Sequence, residues 1–221
     1  MKKPAIPTRS TIRPSDLTFG LSTCRRCLWL FYWFKIQAPM VMPIVGTLAR
    51  LQEKYFQGAK LKDIDPTLGD GSIIKWGETV NSQKIVINGE ESRWRFSGKY
   101  DILGENSDKS LAFIDCKVSD SDRDNAALYS PQLEAYAYCL ENPAVGEPGR
   151  VSTMGLLVWS PTKAEADGFK VAEKYVPVAR DTQRFNNLVT DLIEMLEGEM
   201  PDSGENCATC KFISNREALD L

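Results

Sequence analysis

Two neighbouring stretches decide how this chain is read: Trp94-Arg95-Phe96-Ser97-Gly98-Lys99-Tyr100-Asp101-Ile102-Leu103 and Leu111-Ala112-Phe113-Ile114-Asp115-Cys116-Lys117-Val118. Both carry strand-forming residues, and the polar run Gly104-Glu105-Asn106-Ser107-Asp108-Lys109 separates them, so they predict a hairpin. Residues two apart on a strand share a face. Asp115 and Lys117 therefore point one way, and Cys116 points into the opposite layer. A turn centred near Asn106 and Ser107 sets Asp101 opposite Ala112 or Phe113. Asp101 is then a diagonal neighbour of Asp115, with Cβ atoms roughly 7 Å apart. Two carboxylates so placed can share a divalent ion at about 2.1 Å. The carbonyl of Cys116 is a third candidate ligand. Lys117 falls beside a metal-bound water, where it can orient or deprotonate that water and offset developing charge. An Asp and a Lys two apart on an open strand are usually a solvated ion pair. Here Leu111–Ile114 flank them with the apolar run of a central strand, where charges need a reason.

Working outward, Ile73–Trp76 and Lys84–Ile87 read as short strands. Val151–Trp159 reads as a buried strand closed by Ser160-Pro161, and Phe169–Val178 as an exposed one. Helices are expected over Gly46–Phe56, Asn125–Leu140 and Asp181–Glu197 from apolar residues recurring at three and four. Gly198 and Pro201 end the last of these, Ser15 is placed to cap a short helix from Asp16, and the tail reads as loop. The fold class is α/β, a central mixed sheet flanked by helices, with residues 1–221 forming one domain.

Composition narrows the chemistry. The chain has 221 residues, 43% of them hydrophobic, a net charge of −3, six cysteines and no histidine. Without histidine, Ser-His-Asp and Cys-His catalysis and Cys2His2 zinc sites are excluded. The acidic balance argues against a passive nucleic-acid coat but suits a carboxylate metal site. No run of eighteen apolar residues occurs, so no membrane span is expected. The first residues make a poor secretory signal, which points to a cytoplasmic address.

Cys24-Arg25-Arg26-Cys27 and Cys207-Ala208-Thr209-Cys210 are two C-x-x-C pairs near opposite ends. Each pair can bite one metal centre, and two pairs complete four thiolates. Disulfides are the rival, disfavoured in a reducing compartment. Residues 15–36 and 200–216 together would form a cysteine-clasped subregion. Cys116 and Cys139 lie inside strand and helix patterns and read as core.

The order Gly98-Lys99-Tyr100-Asp101, then Ile114-Asp115-Cys116-Lys117, resembles the G-x-x-D … (D/E)-x-K core of the PD-(D/E)XK nuclease superfamily, whose fold is restriction-endonuclease-like. Gln132-Leu133-Glu134-Ala135-Tyr136 is similar to the Q-x-x-x-Y motif of the RecB-like branch. The flanking cysteines resemble those of the cluster-bearing AddB-type and CRISPR-adaptation nucleases. That resemblance implies a Mg2+- or Mn2+-dependent deoxyribonuclease, an exonuclease on single strands or free ends, with possible protein partners in DNA processing. It implies catalytic roles for Asp101, Asp115, Lys117, Gln132 and Tyr136, with Tyr136 also holding DNA. It further implies a [4Fe–4S] cluster on Cys24, Cys27, Cys207 and Cys210. Arg25 and Arg26 are expected near DNA phosphates. Two departures stand out. The family usually has one leading and three trailing cysteines, whereas two and two are present here, which keeps zinc an alternative. The early helix offers Ala49 or Arg50 where a histidine, sometimes an acid, is usual; Glu53, a turn later, is a candidate substitute but reads more readily as a solvated acid. The competing readings are a catalytically inactive DNA-binding or assembly module on the same fold, and a redox protein built on the cluster.

Overall fold

A computed structural model of the chain describes residues 3–38, 43–119 and 125–217. Met1 and Lys2 lie outside them. The elements begin with β1 (Thr11–Ile12), a 3-10 turn (Pro14–Leu17), α1 (Gly20–Thr23), α2 (Arg25–Phe34), α3 (Pro43–Tyr55) and α4 (Leu61–Ile64). Then come β2 (Ser72–Trp76), β3 (Thr79–Ile87), β4 (Glu90–Lys99), β5 (Ile102–Glu105), β6 (Leu111–Val118) and α5 (Ala126–Glu141). The chain continues through β7 (Val151–Glu165), β8 (Gly168–Pro177), α6 (Thr182–Glu197) and α7 (Ala208–Glu217).

The strands form a five-stranded sheet ordered β2-β5-β6-β7-β8 and a three-stranded sheet ordered β1-β4-β3. The larger sheet is mixed: β6 and β7 run parallel, and its other neighbours run antiparallel. The mixed α/β class expected from the sequence is the one observed. β6 sits in the middle because both its faces are apolar, the pattern of a strand covered on two sides. Phe113 packs with Leu133 and Tyr136 on one face. Ala112, Ile114 and Cys116 pack with Phe56, Leu61 and Ile64 on the other. Burying a residue such as Phe113 or Ile114 contributes about 2 kcal/mol, so an acid at position 114 would break the strand.

α5 lies between the layers rather than on the surface. Its Ala135 and Cys139 enter an aromatic cluster built from Trp29, Tyr32 and Trp33 of α2 and Trp94 and Phe96 of β4. Its Leu133, Tyr136 and Ala137 enter the cluster beneath β6. The buried Glu134 ties α5 to the start of α6, accepting from Arg180 Nε at 2.9 Å and from the Asp181 amide at 2.6 Å. Asp181 caps α6, accepting from the Arg184 amide at 3.0 Å.

Four expectations are corrected. The run Trp94–Leu103 is not one strand. It breaks at Tyr100-Asp101, so β4 joins the smaller sheet and only β5 pairs with β6. Ser160-Pro161 does not close β7, which continues to Glu165 against β8. Proline is tolerated there because that stretch is an exposed two-stranded arm, with a register shift between Pro161 and Lys163. The tail is not loop: α7 occupies Ala208–Glu217. Ser15 does not cap a helix; it lies within the 3-10 turn Pro14–Leu17, which has no side-chain cap.

Candidate functional site

The hairpin register brings the acids closer than expected. Ile102 pairs with Ile114, Leu103 with Phe113 and Glu105 with Leu111, so the turn centres on Asp108. One further step sets Asp101 opposite Asp115 itself, not on its diagonal. β5 has ended by then, and the side chain of Asp101 replaces the missing strand: its Oδ2 accepts the Cys116 amide at 2.7 Å. A strand residue sends its N–H and C=O to the same side, so the Cys116 carbonyl also leaves toward Asp101.

Asp115 is 3% exposed. Its Oδ2 forms an ion pair with Lys117 Nζ, and its Oδ1 accepts from Gln132 Nε2 at 3.0 Å. Gln132 Oε1 is buried with no hydrogen-bond partner, a polar atom with its bond unmade. Burial, and then the charge of Asp115, raise the Asp101 carboxyl to about 8. Burial works against the charge on Lys117, but Asp115 and Asp101 outweigh it and hold its ammonium above the ordinary lysine range. Two acids crowded in a buried setting, with a single lysine against them and an orphaned amide oxygen nearby, form a donor set that a divalent cation would complete.

Tyr136, expected to hold DNA, is tied to main chain at the site. It is 7% exposed, its ring lies 5.0 Å from that of Phe113, and its hydroxyl donates to the Lys99 carbonyl at 2.7 Å. A hydroxyl committed to main chain beside Asp101 steadies the acid's segment. Gly98 is needed for that contact, since a Cβ there would stand 2.8 Å from the Tyr136 oxygen and 2.8 Å from Pro14 Cδ. Glu53 is also corrected: its side chain is 12% exposed and pairs with Lys99 Nζ at 3.3 Å. Its charge bears on Asp101, so a third acid borders the site from α3. A single Glu on an amphipathic helix carries no mark of this in the sequence. Tyr129 was missed as well. Its ring lies 4.7 Å from Lys117 Nζ. Tyr129, Gln132 and Tyr136, three and four apart on α5, form one stripe, and that spacing was the available signal.

At the chain's other functional region, the Sγ atoms of Cys24, Cys27, Cys207 and Cys210 all lie within 4.8 Å of one another. Each pair straddles a helix start. Cys24 immediately precedes α2 and Cys27 lies in its first turn; Cys207 precedes α7 and Cys210 lies in its first turn. The Gly204 amide donates to Cys24 Sγ at 3.4 Å and the Cys210 amide to Cys207 Sγ at 3.5 Å. Burial opposes ionisation of Cys24, but hydrogen bonds from the Cys27 and Gly204 amides bring it down to about 7, while burial and its thiol neighbours push Cys27 up. Arg25 pairs with Asp191 of α6, Nη1 to Oδ1 at 3.0 Å. Its guanidinium is therefore already engaged. Arg26 lines the groove beside the cysteines. Cys116 and Cys139 are buried in the core.

No helix among the described residues is long and apolar enough to cross a membrane. The fold is similar to that in "Crystal structure of SSO0001", with a TM-score of 0.50 over 88% of this chain and 80% of that one at 18% sequence identity. No curated protein matches the chain. A family model described as PD-(D/E)XK nuclease superfamily matches residues 43–214, which span β2–β8 and α3–α6 and leave Cys24 and Cys27 outside. With its acids and lysine meeting where β5 ends against β6, the chain belongs to the PD-(D/E)XK nuclease superfamily.

Proposed function

We propose that the chain is a Mg2+- or Mn2+-dependent deoxyribonuclease acting on single strands or free ends, with the four-cysteine centre as a structural clasp. The observation that carries this is the meeting of Asp101, Asp115, Lys117 and Gln132 at one buried strand end. Asp101, Asp115 and the Cys116 carbonyl would hold the ion, and Glu53 stands near enough to steer its charge. A divalent ion there supplies Lewis-acid activation of the scissile phosphate and a more acidic bound water. Lys117 is held by Asp115 and the Tyr129 ring, so its ammonium is fixed where it can hydrogen-bond the attacking water and offset charge on the phosphate. Gln132 fixes Asp115, and Tyr136 fixes the approach to Asp101 through Lys99. Arg26 is the better candidate of the two arginines for a backbone phosphate, because Arg25 is paired. Six cysteines without a disulfide suit a reducing cytoplasm, where partners in DNA processing would meet the chain.

The test is cleavage by the full chain of linear and circular DNA, single- and double-stranded, with Mn2+, Mg2+ or chelator. The expected result is metal-dependent loss from linear substrates, slowed about 10³-fold or more in Lys117→Ala, with that variant still folded by circular dichroism. Cleavage by Lys117→Ala at the parental rate, or no cleavage of any substrate by the parent, would overturn the reading. Equal rates on circles would overturn its preference for ends.

A further inference from the structure

We propose that the cage of Cys24, Cys27, Cys207 and Cys210 takes a single tetrahedral zinc ion, and not the four-iron cluster that its RecB-like resemblance implies. Sulfur spacing carries the argument. Cys27 Sγ stands 3.6 Å from Cys207 Sγ and 3.6 Å from Cys210 Sγ, and Cys24 Sγ stands 3.8 Å from Cys210 Sγ. Four thiolates bound to one ion at about 2.3 Å occupy the corners of a tetrahedron whose edge is about 3.8 Å. A cubane binds each thiolate through a different iron, so its sulfurs must stand roughly 6 Å apart. No separation in the cage exceeds 4.8 Å, which falls short of that. To admit the cluster, the start of α7 would have to retreat from the start of α2, and each C-x-x-C pair would have to spread as well.

A groove of about 530 Å³ runs beside the cage and is lined by all four cysteines. That volume cannot lie inside a tetrahedron with edges under 4.8 Å. It is space next to the sulfurs, whereas a cubane needs space among them. The donors also suit one ion. Two C-x-x-C bites supply four thiolates from two first helical turns, where the main-chain amides and helix dipoles favour negative sulfur. The amides of Gly204 and Cys210 already point at Cys24 and Cys207, the kind of outer contact that spreads the charge of a four-thiolate zinc site. All four thiols are free. Cys116 and Cys139 sit in other clusters and bring no fifth ligand.

The experiment is elemental analysis and absorption spectroscopy on the full chain, produced with iron and zinc both in supply and purified with and without oxygen. The expected result is one zinc per chain, no iron, and no band near roughly 400 nm in either preparation. Exchange with Co2+ should give the strong visible ligand-field bands of a tetrahedral thiolate site, and Cys210→Ser should lose the zinc. About four irons with acid-labile sulfide in the oxygen-free preparation would overturn the proposal, as would protein retaining neither metal. Because the readout is bound metal, the answer does not depend on whether DNA is cut.

Discussion

The carboxylate end of β6 and the cysteine cage are built on opposite plans. The cage uses four identical donors, two from each end of the chain, converging at two helix starts until no coordination position is free. The strand end uses unlike groups, two acids and an amide with an ammonium beside them, set where β5 stops. A closed set of soft ligands suits an ion that holds structure, and an incomplete set of hard ones suits an ion that must also meet a substrate. The two also differ before any ion arrives. Neutral thiols can share hydrogen bonds, as Cys24, Cys27, Cys207 and Cys210 do. Buried acids are pushed toward the neutral form, Asp101 first by its burial and then by the charge of Asp115. The contrast predicts that damage to the cage costs stability, whereas damage to the acids costs activity and returns stability.

The largest effect should come from the cage. The link between Cys27 and Cys207 spans 180 residues, and closing a loop of that size is worth about 5 kcal/mol in chain entropy. Cys27→Ser, or a strong chelator, should therefore lower the melting temperature by roughly 10 °C or more. A loss under about 1 kcal/mol would end the clasp idea and erase the contrast with the strand end.

Asp101→Asn should move stability the other way. The Asp101 carboxyl sits at about 8, above its ordinary value of 3.8. Between those values the folded chain binds the extra proton, so this group's contribution to stability falls as pH rises from about 4 to about 8. In metal-free protein above pH 8 the variant should gain about 2 kcal/mol, roughly 4–8 °C, with no gain near pH 4 and with cleavage lost. Thermal melts across that range check it, and an unchanged pH slope in the variant would place the repulsion elsewhere.

Tyr136→Phe should show the smallest effect and sharpen the comparison most finely. It removes one hydroxyl donated to Lys99, worth about 1 kcal/mol. Cleavage should slow several-fold through kcat, because the loosened segment leads to Asp101. A change confined to KM would instead return Tyr136 to the role of holding the DNA strand.

Much of the larger sheet was legible because its period and its apolar flanks agreed. β6 and α5 lie within a residue of where their patterns place them. The bend at Tyr100-Asp101 was not legible, since alternation runs through it without a break and only tertiary pairing decides which sheet each half joins. α7 was hidden for another reason: it has no apolar stripe, and Cys210 is its one buried residue. The cage organises that helix, not its own pattern. Among the candidate site residues, the acids and lysine announced themselves by order. Glu53 and Tyr129 were fainter, because a helix acid looks alike whether it faces water or Lys99, and Tyr129 was marked only by its spacing from Gln132 and Tyr136.

The bond from the Cys116 amide to Asp101 has an evolutionary corollary. The donor is main chain, so every non-proline replacement at 116 keeps it. The residue between the acid and the lysine is then free to drift with the demands of the layer behind the sheet, among Phe56, Leu61 and Ile64. Variation at that one site should track hydrophobic volume on the far face and stay silent about turnover.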